Sequence, residues 1–175
     1  LPLLSAKGIK MILDLHTPPG GFASTSGKPQ LKIFSDATYQ EAFISNWEYL
    51  ATHYKDNSSI WAYDVLNEPA QATAVAGVRS WNELAQEVAT RIRAIDTTHP
   101  LLIGPRFDDH GRLKGFRPVT AQNVIYTFHF YYPLSFQQQG LYSFKKKVYY
   151  PNKKLTKKNL ANELKKIASF QRKNK

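Results

Sequence analysis

Four short apolar runs, each separated from the next by too many residues for a tight hairpin, constrain this chain more than any other feature. They are Ile9-Lys-Met-Ile-Leu-Asp-Leu15, Ile60-Trp-Ala-Tyr-Asp-Val-Leu66, Leu101-Leu-Ile103 and Asn123-Val-Ile-Tyr-Thr-Phe-His-Phe-Tyr131. Their length and composition are those of strands buried on both faces. Between the first two, Ser35 or Asp36 can cap a helix in which Phe43, Trp47, Leu50, Ala51 and Tyr54 form one inward stripe. Between the second and third, Val78, Trp81, Leu84, Ala85, Val88, Ile92 and Ile95 recur with the same period, and a last helix capped by Thr156 carries Leu160, Leu164, Ile167 and Ala168 on one face. Strand and helix are thus expected to alternate throughout. Strands joined by crossover helices pair in parallel, so the expected fold class is α/β, with about four parallel β/α units.

At 175 residues and 42% hydrophobic content, residues 1–175 are expected to form a single domain with one sizeable core. No run of about 18 apolar residues suggests a membrane span, and no signal peptide is recognised. The absence of cysteine excludes disulfides and thiolate chemistry. A net charge of +11 would suggest a nucleic-acid partner if it were spread over the fold. It is not: residues 1–140 carry 12 Lys+Arg against 12 Asp+Glu, whereas the Lys-rich segment 141–175 carries 12 against Glu163 alone. Lys145-Lys-Lys147, Lys153-Lys154, Lys157-Lys158 and Lys165-Lys166 are not interleaved with base-stacking aromatics, so they are read as a solvated surface and no nucleic acid is expected. The histidines lack zinc-ligand spacing, and no phosphate-cradling Gly-rich loop or Ser-His-Asp arrangement is evident, so neither a metal nor a cofactor is assigned.

In a parallel β/α sheet, function collects at the C-terminal edge of the strands. The polar residues expected there are His16, Asn67 with Glu68, Arg106, and His129 with Tyr131. Singly each has a bland explanation: a satisfied core imidazole, a half-buried aromatic, or, for Asn67-Glu68-Pro69, the cap and first turn of a helix. Together they form a constellation. A carboxylic acid held rigidly at a strand end suits proton donation to a glycosidic oxygen, provided it keeps its proton near neutral pH, which takes partial desolvation or a second carboxylate nearby.

These residues resemble glycoside hydrolase family 5, the cellulase family, whose members are retaining glycosidases built on (β/α)8 barrels. The resemblance rests on Ile12-Leu-Asp-Leu-His16 with Pro-Gly-Gly following, Trp61-Ala-Tyr-Asp-Val-Leu-Asn-Glu-Pro69, His99-Pro-Leu-Leu-Ile-Gly-Pro105, and Tyr126-Thr-Phe-His-Phe-Tyr131 with Pro133 and Gln139-Gly140. It implies a partial (β/α)8 TIM barrel covering about strands three to six. Glu68 would be the acid/base, Asn67 the residue that hydrogen-bonds the sugar 2-hydroxyl, His16 a wall of the substrate cleft, and His129 with Tyr131 the pair that flanks the nucleophile. Phe22, Phe107, Tyr132, Phe136 and Tyr142 are candidate sugar-stacking aromatics, with Tyr132 taken as substrate-binding.

The resemblance also implies a nucleophilic glutamate at the end of the seventh strand, which has no counterpart here, and Gln171-Arg-Lys-Asn-Lys175 reads as the approach to that strand. A complete barrel typically needs about 250 residues, and a retaining glycosidase needs two carboxyl groups about 5–5.5 Å apart. Asp14 and Asp64 read as interior structural acids; Asp108 and Asp109, read as loop acids, are the local stand-ins. The implied activity of the complete protein is endo-acting hydrolysis of β-1,4-glucan, with a β-mannanase or other β-glucanase of the family as the alternative. From another class, the alternatives are a non-catalytic carbohydrate-binding remnant or a basic nucleic-acid-binding module. A β-glucan polysaccharide or oligosaccharide is the expected partner, no membrane partner is expected, and the family implies an extracellular or periplasmic location. Two unpaired edges on a four-stranded sheet invite self-association.

Overall fold

The computed structural model describes residues 2–25, 28–71, 74–141, 144–150, 152–153 and 155–174. Tyr142, Lys154 and Lys175, named above, lie outside them. A short helix α1 (Pro2–Ser5) precedes β1 (Met11–Asp14), followed by β2 (Phe22–Thr25), β3 (Lys28–Leu31), α2 (Ala37–Tyr54), β4 (Ile60–Asp64), α3 (Trp81–Arg93), β5 (Leu101–Ile103), β6 (Val124–Tyr126), α4 (Leu134–Gln137), α5 (Lys157–Glu163) and α6 (Lys165–Lys173). The main sheet has the order β1-β4-β5-β6 with every neighbour parallel, and β2 and β3 pair antiparallel beside it.

The helices α2 and α3 bury the stripes that their periodicity marks out. Phe43, Trp47 and Ala51 of α2 and Trp81, Leu84, Val88 and Ile92 of α3 are almost wholly inaccessible to solvent. Each helix also contributes an indole whose N–H must find an acceptor once buried. Trp47 Nε1 donates to the carbonyl of Val65 at 2.9 Å, and Trp81 Nε1 donates to the carbonyl of Gly104 at 2.8 Å. Both acceptors lie just past the end of a strand, so the core grips the backbone that leads into the functional edge. Asp36 caps α2 by accepting the N–H of Thr38, and Thr156 caps α5 by accepting that of Asn159.

Several expectations need correction. The strand expected over 9–15 is regular only over Met11–Asp14, and that over 60–66 ends at Asp64. Helix α3 starts at Trp81 rather than near Val78, because the Ser80 N–H and hydroxyl both donate to Glu83 Oε2 at 2.7 Å and close the first turn there. The short β2 and β3 have no apolar alternation to announce them; Lys32 N–H to Gly21 O closes the open end of the hairpin and Leu31 N–H to Ala70 O ties it to the rest of the fold, each 2.9 Å. The last helix is divided at Leu164 into α5 and α6.

No helix joins β5 to β6, so the strict alternation fails there. A 3₁₀ turn (Arg106–Asp108) and an irregular loop take its place. Gly111, Gly115 and Pro118 break helical periodicity, and side chains of α3 satisfy the loop instead: Arg117 N–H donates to Asn82 Oδ1 and Thr120 N–H to Gln86 Oε1. The run expected to extend to Tyr131 pairs regularly only over Val124–Tyr126, because β5 runs into Gly104-Pro105 and proline has no N–H to continue the ladder. One further parallel bridge joins Asp109 to His129.

A buried polar network underlies β4 and β5. Asp96 accepts the amides of Thr98 and His99, the Tyr63 hydroxyl at 2.8 Å and His99 Nδ1 at 2.6 Å. Burial alone would raise the Asp96 carboxyl, but the hydrogen bonds from His99, Tyr63 and Thr98 outweigh it and hold its pKa below the ordinary value. Asp96→Ala would orphan all four donors. It is expected to lower unfolding free energy by about 2–4 kcal/mol in urea titrations, and a change below about 0.5 kcal/mol would contradict this role for the network.

Candidate active site

Asn67 and Glu68 follow β4 by a few residues, and the chain at Glu68 turns into the left-handed region with φ 42°. That conformation costs a non-glycine residue about 1 kcal/mol or more, so something must hold it. The turn after β5 does so. Glu68 N–H donates to Asp108 Oδ2 at 2.5 Å, and Phe107 N–H donates to Pro69 O at 3.3 Å. Phe107 and Asp108 are themselves left-handed, at φ 60° and 46°. Two irregular turns are thereby docked on each other.

The Glu68 side chain meets the strand-six segment. Glu68 Oε1 lies 2.8 Å from His129 Nδ1, with the carboxyl about half exposed and the imidazole 35% exposed. His129 is fixed in turn by its N–H, which donates to Asp108 O at 2.7 Å, and by edge-on packing against the Tyr131 ring at 5.9 Å. Glu68, His129, Tyr131, Tyr132, Phe107 and His110 line a cleft of about 280 Å³. A half-exposed carboxyl hydrogen-bonded to an imidazole in a partly aromatic cleft can deliver and recover a proton.

The neighbouring strand end supplies a second cluster. Asn67 Nδ2 lies 3.4 Å from His16 Nε2, and His16 Nδ1 lies 2.8 Å from Asp14 Oδ2, with the His16 ring largely exposed. Asp14 and Asp64 are register partners across β1 and β4. Burial, reinforced by the charge of Asp14, pushes Asp64 from an ordinary 3.8 up to about 6, while His129 and His16 pull it down. Asp64 therefore shares the electrostatics of the strand-end edge.

Glu68, His129, Tyr131 and Tyr132 thus converge on one cleft, and His16 with Asn67 flanks it. Arg106 does not join them: it is exposed and borders a separate cavity with Gln71, Asn82 and Arg112. Of the candidate stacking aromatics, Phe107 and Tyr132 line the cleft, whereas Phe22 and Phe136 lie outside its lining. Asp108, read from sequence as a loop acid, is 4% exposed and packed against Gly104, where a Cβ would fall 1.6 Å from its Oδ1. A glycine four residues before an aspartate was the only available sign. Among the described residues, no group of three or more His, Cys, Asp or Glu is arranged to hold a metal ion.

The family profile described as "Cellulase (glycosyl hydrolase family 5)" matches residues 2–175. The chain belongs to the cellulase family, glycosyl hydrolase family 5. Relatives include cellodextrinase A of Ruminococcus flavefaciens, 32% identical over 134 residues, and endoglucanase C of Acetivibrio thermocellus, 31% identical over 130 residues. The first match covers 76% of this chain and 39% of the relative, the second 74% and 36%, so the chain spans less than half the length of these family members. The crystal structure of endoglucanase Cel5A from the hyperthermophilic Thermotoga maritima superposes with a TM-score of 0.75 at 24% identity, covering 97% of this chain and 52% of that one. The glycosyl hydrolase fold present here is therefore a partial (β/α)8 barrel, α/β in class, with four parallel strands.

The raised pKa of Asp64 makes stability depend on pH. The folded state holds this proton more tightly than the unfolded chain, so the contribution is fully present below about pH 4 and is lost as pH rises through about 6. Asp64→Asn removes that loss. It is expected to be more stable than the parent by about 1–2 kcal/mol at pH 8, a figure reduced from the full shift because water still reaches the group, with the advantage shrinking towards pH 4. Urea denaturation at both pH values checks this, and an equal difference at each would contradict it.

Proposed function

We propose that the protein containing this chain hydrolyses β-1,4-glucan internally and with retention, using Glu68 as its general acid/base. The observation that carries the reading is the 2.8 Å contact between Glu68 Oε1 and His129 Nδ1 beside an aromatic-lined cleft at the C-terminal edge of a parallel sheet. In the first step Glu68 gives its proton to the glycosidic oxygen as the bond to the anomeric carbon breaks. In the second, the Glu68 carboxylate takes a proton from the water that releases the sugar from the nucleophile. His129 fixes the rotamer of Glu68, and Tyr131 packs on His129. Asn67 bonds the sugar 2-hydroxyl, His16 walls the adjoining subsite, and Tyr132 offers a ring to a sugar face.

Neither local carboxyl suits the nucleophile's part. Asp108 is buried and already accepts the Glu68 amide; Asp109 reaches the cleft but accepts Gly111 N–H at 2.7 Å and Arg112 Nε at 3.2 Å. The nucleophile is therefore assigned to the family's seventh-strand glutamate, outside residues 1–175. An extracellular or periplasmic location follows for an enzyme whose polymeric substrate cannot enter a cell; among the described residues no helix is long and apolar enough to cross a membrane. Residues 1–175 are read as a single barrel domain, with the Lys-rich segment 141–175 as its C-terminal part.

In the full-length protein, Glu68→Gln is expected to lower kcat on soluble β-1,4-glucan roughly 10²–10⁴-fold, the usual worth of a general acid/base. Reducing-end assays measure it, and undiminished turnover would rule out Glu68. Self-association of the isolated span is also proposed, since β1 and β6 are open edges and Ile12 and Ile125 on them are 43% and 41% exposed. Light scattering at micromolar concentration is expected to find dimers or larger species, and a well-behaved monomer would refute it.

A further inference from the structure

We propose that Asp108 is a positioning residue that holds Glu68 and His129 together from beneath, an inference that rests on the reading of Glu68 as acid/base. Asp108 touches both members of the pair with different atoms. Its Oδ2 accepts the Glu68 N–H, and its main-chain carbonyl accepts the His129 N–H. The first bond holds Glu68 in its left-handed turn; the second holds the backbone from which the imidazole reaches Glu68 Oε1. One residue therefore sets both ends of the contact on which proton transfer depends.

The burial of Asp108 makes this more than a loop contact. Gly104 leaves room for its carboxyl, and Oδ1 is enclosed without a hydrogen-bond partner among the described residues. A buried carboxyl with an unsatisfied oxygen is costly and persists only where the surrounding structure requires it. His129 Nε2 stands 3.9 Å from Oδ2, beyond hydrogen-bond range but close enough to feel its charge. The ionisable groups acting on Asp108 are His129, Asp64 and Glu68: His129 favours its charged form, whereas the two carboxyls disfavour it. Burial, the largest influence, pushes Asp108 up to about 7, so its charge changes within the range where a glycosidase works. Asp108 thus has two separable tasks: accepting an amide, which an asparagine can do, and presenting a titrating charge to His129, which an asparagine cannot.

The test compares the full-length protein with its Asp108→Asn and Asp108→Ala forms by NMR, reading the Asp108 carboxyl carbon, the ring nitrogens of His129 and the amide of Glu68 between pH 5 and 9. In the parent, the Asp108 carboxyl carbon and the Glu68 amide proton are expected to share a midpoint near 7. Asp108→Asn is expected to erase that inflection from the Glu68 amide trace and to displace the His129 trace, while keeping Glu68 amide exchange within about threefold of the parent, and Asp108→Ala to speed that exchange at least tenfold. A His129 trace unchanged in Asp108→Asn, or unlinked midpoints in the parent, would overturn the inference; the parent measurement decides even if a variant does not fold. Turnover is not needed for these readouts, so their failure is distinct from an active Glu68→Gln enzyme, which would instead remove the acid/base reading.

Discussion

Parallel pairing of β4 with β5 is the constraint on which the rest of this site depends. Because the two strands run the same way, the turns that leave them emerge side by side at one edge, and the backbone of one can be satisfied by the side chain of the other. That is what the bond from Glu68 N–H to Asp108 Oδ2 does. Antiparallel neighbours would send these turns to opposite edges. The same direction in β6 brings His129 to that edge, where a single bridge to Asp109 extends the pairing beyond the point at which Pro105 interrupts the ladder.

The second layer secures this edge. Trp47 and Trp81 each spend their one polar atom on a carbonyl immediately beyond a strand, so packing of the helices fixes the segments that enter the site. Above them lie Asp14, Asp64, Asp108 and Glu68 with two imidazoles, His16 and His129. Burial, reinforced by neighbouring carboxyls, draws protonation towards neutral pH at Asp64 and Asp108.

How much of this was legible in the sequence follows from which forces acted. The four strands, their parallel order and helices α2 and α3 were readable because hydrophobic burial writes its own period into the chain. The nearness of Glu68, His129 and Tyr131 was readable from their positions at or just past the ends of strand-like runs, and the resemblance of those runs to family 5 agrees with the family match. The hairpin of β2 and β3 was not, since its short strands carry no apolar alternation and a backbone bond from Leu31 to Ala70 ties it to the rest of the fold. Nor was the helix-free link from β5 to β6, whose amides are satisfied by Asn82 and Gln86 from a distant helix. The burial of Asp108 was not legible for the same reason: it depends on a missing side chain at Gly104 and on two left-handed residues, neither of which has a periodic signature.

The most direct test of Glu68 as the proton donor is the dependence of bond cleavage on the leaving group, measured with aryl β-cellobiosides of graded phenol acidity in the full-length protein and its Glu68→Gln form. If Glu68 supplies the proton, the variant should cleave glycosides of acidic phenols nearly as fast as the parent in the step that releases the phenol, and fall progressively behind as the phenol becomes more basic. A deficit that is the same across the whole series, or absent, would contradict it.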